Sequence, residues 1–146
     1  MKVTNKEYGE ITKKHSPKTR SVLTLPKAFV IGGSICVIGQ GFLNFYTYLG
    51  FNKTDSGALT SMTLIFIAAI LTGLKLYDKI AKHGGAGTLV PITGFANAVV
   101  APALEYKSEG YIFGVGAKMF TIAGPVIVYG LAASVLYGIL YYFTII

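Results

Sequence analysis

The chain has 146 residues, of which 53% are hydrophobic and only 13% charged, and its mean hydropathy is +0.59. A soluble domain keeps about 25% of its residues charged to face water. The composition therefore excludes a soluble globular domain and a disordered tail, and the single cysteine, Cys36, excludes a disulfide scaffold.

The charges are clumped, leaving four uncharged stretches of 25, 19, 21 and 28 residues, at 28–52, 56–74, 84–104 and 119–146. Crossing a hydrocarbon core takes about 20 largely apolar residues. The expected fold is thus all-α: a polytopic integral membrane protein of about four transmembrane helices, with the third either crossing or broken and re-entrant. Residues 1–25 read as a basic, polar cytoplasmic arm and 26–146 as one helical membrane domain. Its spans are expected at about 28–49, 57–76, 88–104 and 111–143.

The net charge of +7 is placed unevenly. Lys2, Lys6, Lys13, Lys14, Lys18, Arg20 and Lys27 face only Glu7 and Glu10, so five of the seven net charges precede the first apolar run. Lys75, Lys79 and Lys82 follow the second run, whereas Lys53 and Asp55, and Glu105, Lys107 and Glu109, make nearly neutral loops. Basic clusters on alternate loops orient a membrane protein with those loops inside. Nucleic-acid binding is not expected, because no folded platform or interleaved stacking aromatics accompany the charge.

In the first span Pro26 is placed at the first helical turn. Cys36, Gln40, Asn44 and Thr47 fall at helical spacing on one stripe. Amides facing lipid are costly, so the stripe is expected to point into the protein, as an interhelical clasp or as a pore-lining face. The second span is plainly apolar, with Ala69 and Gly73 suited to close packing. The run is too long for a signal-peptide core, so the first span is read as an uncleaved anchor.

The third stretch opens with Gly84-Gly85-Ala86-Gly87-Thr88 and carries Pro91 and Pro102 near its ends. Prolines and glycines at membrane depth need neighbours or water to satisfy freed backbone groups. Discontinuous helices of this kind often mark transport sites. Thr88 is expected to cap a helix there, leaving backbone donors at the glycine turn. Thr93, Asn97, Ala101 and Glu105 share one stripe if the helix survives Pro102.

The last segment, from about Gly110, is longer than one span requires. Lys118 is read either as an interfacial snorkelling residue or as a cation on a permeation path. Gly130, Ser134 and Gly138 form a small-xxx-small ridge, and Tyr137, Tyr141, Tyr142 and Phe143 an interfacial aromatic belt. If all four segments cross, the loop holding Glu105 and Glu109 faces outward. If the third turns back, that loop and the C-terminus change sides.

The sequence holds no phosphate-binding loop with its lysine, no HExxH or CxxC pair and no GxSxG elbow. No catalytic residue, cofactor or metal site is expected. His15 and His83 stand far apart without ligand spacing. Polar residues buried at membrane depth instead suggest passage of a solute or ion.

Four stretches carry a resemblance: KAFVIGGSICVIGQG at 27–41, GGAGTLVPITGFAN at 84–97, ALEYKSEG at 103–110 and GVGAKMFTIAGPVIVYG at 114–130. They resemble the AC and AEb family of stage V sporulation membrane proteins, over about residues 20–140. The basic arm and the Thr93–Asn97 motif look like its AC branch. The resemblance implies an endospore-forming bacterium and the inner membrane of the forespore and spore. It implies a part in moving dipicolinic acid, with calcium, into the spore and in its release at germination. The implied partners are the AEb protein and a soluble dipicolinate-binding AD protein.

Combined with the residues, this gives an expected path for a small rigid dianion. Gly84, Gly85, Gly87 and Thr88 would supply backbone donors, Lys118 a cation, and Gln40, Asn44, Thr93 and Asn97 a neutral polar lining. Glu105 and Glu109 would meet calcium or dock the AD protein. The competing expectation is a non-conducting scaffold that anchors the complex while the AEb protein forms the pore. One chain has too few helices to enclose such a path, so a homo- or hetero-oligomer in the lipid bilayer is expected.

Overall fold

A computed structural model describes residues 4–15 and 21–145; Lys2, Lys18 and Arg20 of the basic arm lie outside them. Every regular element among the described residues is helical, with seven α-helices: α1 (Asn5–His15), α2 (Ser21–Tyr48), α3 (Lys53–Gly73), α4 (Tyr77–Gly84), α5 (Ala86–Leu89), α6 (Ile92–Glu105) and α7 (Ala117–Ile145). A 3₁₀ turn (Tyr106–Glu109) and a π-helical turn (Tyr111–Gly116) join α6 to α7.

Helix α1 starts on a reciprocal cap. The Glu7 carboxylate accepts from both the amide and the hydroxyl of Thr4, each at 2.9 Å, and the Glu7 amide donates back to Thr4 Oγ1 at 3.4 Å. The Thr4 amide, and then its hydroxyl, hold the Glu7 carboxyl below its ordinary range. A folded pKa below the unfolded one means that the cap supports α1 above the ordinary carboxylate range and fails as pH falls through the lowered value. NMR shifts of the 5–8 amides are therefore expected to lose helical character on acidification, and Glu7→Gln to remove that pH dependence.

Three helices are long and apolar enough to cross a membrane: Val22–Tyr48, Lys53–Gly73, and the continuous π-helical turn plus α7 at Tyr111–Thr144. The first begins earlier than expected. Helix α2 starts at Ser21, so Pro26 lies inside it rather than at its first turn. Val22, Leu23 and Leu25 continue the apolar helix backwards, and the proline forfeits only the bond to the Val22 carbonyl.

The turn from α2 to α3 is closed at both ends. Gly50, at φ 94°, ends α2 with bonds from Gly50 to Thr47 and from Phe51 to Tyr46. Asn52 caps α3 by accepting from the Asp55 amide at 2.8 Å. Across the hairpin the Tyr46 and Thr63 hydroxyls pair at 2.7 Å, and Gly39 lets α2 approach Leu64. At the far end of α3, Lys75 takes the left-handed position usually held by glycine, at φ 57°.

The third apolar stretch is broken. Helix α4 ends at Gly85 (φ 48°), α5 is a single turn, and Pro91 (ψ 161°) starts α6. Helix α6 continues through Pro102 but has only 14 residues. That is about 21 Å of helix against roughly 30 Å of hydrocarbon, a thickness that α6 alone does not bridge. Helix α5 packs on the first turns of α2, α6 packs between α3 and α7, and α7 leans chiefly on α6.

The end of α6 lies beside the end of α3. Ala101, Leu104 and Glu105 line one cleft with Thr72, Gly73, Lys75 and Asp78 at the end of α3. With Cys36→Ser as background, cysteines at Lys82 and Lys107 are expected to react with an impermeant thiol reagent from the same side of the membrane. Reaction from opposite sides would mean that segment 84–105 crosses.

Candidate functional site

The break in segment 84–105 creates carbonyls without helical partners. Pro91 has no N–H to offer the Gly87 carbonyl, and its extended ψ carries Ile92 away from Thr88. Unsatisfied carbonyls in a membrane cost several kcal/mol each, by order of magnitude. Both find neighbours. The Tyr77 hydroxyl donates to the Thr88 carbonyl at 2.8 Å and also pairs with the Thr93 hydroxyl at 3.1 Å. The Gly87 carbonyl faces the bare Cα of Gly32, with 3.0 Å to the position a Cβ would take.

This arrangement demands glycine where helices touch. A Cβ on Gly87 would overlap the Ala28 carbonyl, and one on Gly94 would overlap the carbonyls of Thr88 and Leu89. Thr88 and Thr93 are buried, as are Tyr77 and Thr72. The Thr72 hydroxyl sits between the Ala68 carbonyl (2.7 Å) and Asn97 Oδ1 (2.9 Å), tying α3 to α6. Beside this cluster lies a cleft of about 320 Å³, lined among others by Tyr77, Gly85, Thr88, Gly94 and Asn97.

Of the residues expected to form a path, the structure thus brings Gly85, Thr88 and Asn97 to one cleft, with Thr93 one hydrogen bond behind it. Gly84 and Gly87 instead pack against Ile31 and Ala28 of α2. The backbone donors expected at the glycine turn are not all free: the Gly85 amide bonds Ala81 and the Thr88 amide bonds Gly85. Thr88 does not cap a helix either. Its hydroxyl donates to the Gly85 carbonyl at 2.9 Å, while α6 opens on Pro91 without a side-chain cap. Tight helix ends consume these groups internally.

The remaining expected residues lie elsewhere. Gln40 and Asn44 are bonded to each other at 2.8 Å and exposed on the outer side of α2, not turned into the protein. The inner side of α2 is taken by glycine and aromatic contacts to α3 and α5, which leaves the amides outside. Lys118 is half-buried at the start of α7, with its ammonium 4.3 Å from the centre of the Tyr106 ring. Glu105 joins Lys75 and Asp78 around the cleft of about 530 Å³ at the end of α3. Glu109 is exposed in the 3₁₀ turn. Among the described residues no three His, Cys, Asp or Glu side chains group as metal ligands.

Tyr77 and Thr72 escaped the sequence reading. Tyr77 stands among the charged residues of a loop, yet Tyr77, Ile80, Ala81 and Gly84 repeat at helical spacing. That pattern was the available signal for α4 and its buried face.

The model of the SpoVAC/SpoVAEB sporulation membrane protein family matches residues 24–140. The chain belongs to that family. It is 48% identical over 134 residues to stage V sporulation protein AC of Bacillus subtilis (strain 168), covering 91% of this chain and 89% of that one. No solved structure matches it. The matched residues take in α2 to most of α7, and so the whole cleft. The family is one of sporulation membrane proteins, and the three long apolar helices make this chain a multi-pass membrane protein.

Removing the Tyr77 hydroxyl strands the Thr88 carbonyl while keeping the ring. Tyr77→Phe is therefore expected to cost about 1–2 kcal/mol, read as a lower midpoint of thermal unfolding in mild detergent. An unchanged midpoint would mean that water serves the carbonyl equally well.

Proposed function

We propose that this chain is a membrane subunit of the complex that moves dipicolinic acid, with calcium, across the inner membrane of the forespore and spore. In this reading the AEb and AD proteins are its partners. The observation that carries the proposal is the cleft where the helices break, a mostly apolar lining to which Tyr77, Thr88 and Asn97 bring polar groups. A dianion crossing a membrane needs donors that admit it without trapping it. Tyr77 and Thr88 donate to carbonyls of their own chain, so the neutral donors left are the Asn97 amide at the cleft and the Thr93 hydroxyl behind it, and no carboxylate lines that cleft. The cationic side of the protein, with Lys75, Lys79 and Lys82 nearby in sequence, raises the local concentration of anions. Lys118 stays available as a cation at the base of α7.

A second reading is a non-conducting scaffold with the pore in the AEb protein. The hydrogen bonds favour it in one respect: Tyr77, Thr88, Thr93, Thr72 and Asn97 satisfy one another, as a structural clasp would.

The experiment is calcium-dipicolinate flux into liposomes holding this protein alone, the AEb protein alone, or both. On the channel reading Asn97→Leu with Thr93→Val lowers flux at least about tenfold while the protein still assembles with AEb. Such a loss corresponds to about 1.4 kcal/mol. Full flux with these substitutions, seen only when AEb is present, would establish the scaffold instead.

A further inference from the structure

The outer face of α2 carries a polar pair that the single chain does not explain. Gln40 and Asn44 lie in the C-terminal third of the Val22–Tyr48 span, two turns and one turn before its end, and are exposed. Three hydroxyls of this stretch are satisfied locally or by α3: Ser34 donates to the Val30 carbonyl, Thr47 to that of Leu43, and Tyr46 pairs with Thr63. Gln40 and Asn44 have only each other, through one bond of 2.8 Å from Gln40 Nε2 to Asn44 Oδ1. A primary amide offers two donors and a carbonyl. The Gln40 carbonyl oxygen, the second Gln40 N–H and the Asn44 amide nitrogen therefore face outward from an apolar helix, along which lipid offers no partner.

What is left over is the Gln40 carbonyl together with N–H groups of both amides, so the acceptor of one pair can meet a donor of a second. Copies of one chain insert with the same orientation, so a second α2 presents the same pair at the same depth. The glycines of α2 divide in the same way. Gly32 and Gly39 are occupied by Gly87 of α5 and Leu64 of α3, whereas Gly33 and Gly41 have no heavy atom near the position of a Cβ. Gly33 and Gly41 flank the amides, and bare backbone lets two helices approach closely enough for side-chain amides to meet.

We infer that two copies of this chain associate in the membrane through parallel α2 helices. The Asn44 amide of each copy donates to the Gln40 carbonyl of the other, with Gly33, Val37 and Gly41 forming the dry seam. This inference does not depend on which solute the protein handles.

The test uses the full chain in membranes with Cys36→Ser as background. Val37→Cys, on the seam, is expected to yield a disulfide-linked dimer on mild oxidation. Ile38→Cys, exposed but about 100° around α2 from Val37, is expected not to. Gln40→Leu with Asn44→Leu should weaken the dimer at least about tenfold in a lipid-dilution series followed by energy transfer between labelled copies. Because these amides touch no other helix of their own chain, helicity and thermal unfolding should stay unchanged. The inference fails if the protein stays monomeric across the dilution series, or if both cysteines cross-link equally. It fails as well if the double substitution leaves the dimer intact. Labelling of Val37→Cys by an impermeant thiol reagent would also overturn it, since the face would then line water. Cross-linking of Val37→Cys only to a different co-expressed chain would assign the face to that chain.

Discussion

The hydrogen bond from Tyr77 to the Thr88 carbonyl is the interaction on which the broken segment rests. A helix interrupted inside hydrocarbon leaves carbonyls that nothing in the solvent can satisfy. Tyr77 answers one of them from the start of α4, and the bare Cα of Gly32 lies against the other. Once those are placed, Pro91 and Gly94 set the direction of α6, and Thr72 meets Asn97. The cleft is the space these constraints leave over.

The sequence was most legible where solvent decides. Hydropathy located the long helices because length and apolarity are what lipid demands. Gly85 and Pro91 marked the break because few other residues create one. Two readings failed for related reasons. The rule that amides avoid lipid says that Gln40 and Asn44 need a partner, but not that the partner lies in the same chain. The glycine turn was taken for a source of donors because its amides could not be seen closing onto Ala81 and Gly85. Tyr77 went unnoticed because its value depends on a carbonyl 11 positions away, a relation that no local pattern encodes.

Helix α7 offers a contrast with the tight packing around α5. Most of its length beyond Ala123 is exposed, including Gly130 and Gly138, whose Cβ positions are open. The chain thus has a compact half, in which backbones touch at Gly32 and Gly87, and a half that contacts lipid or other proteins along most of its surface. A cleft set beside the compact half is held in one geometry by many contacts, whereas α7 is free to lean as its neighbours require.

The shortness of α6 bears on how the protein is built. A 14-residue helix whose neighbouring carbonyls rest on Tyr77 and Gly32 takes its position from other helices rather than from its own length. The hairpin of α2 and α3, closed at Gly50 and Asn52, gives the segment from Gly84 to Glu105 two surfaces to pack on, at Ala28 and at Thr72. A change in how those two helices lean on each other would therefore move the break itself.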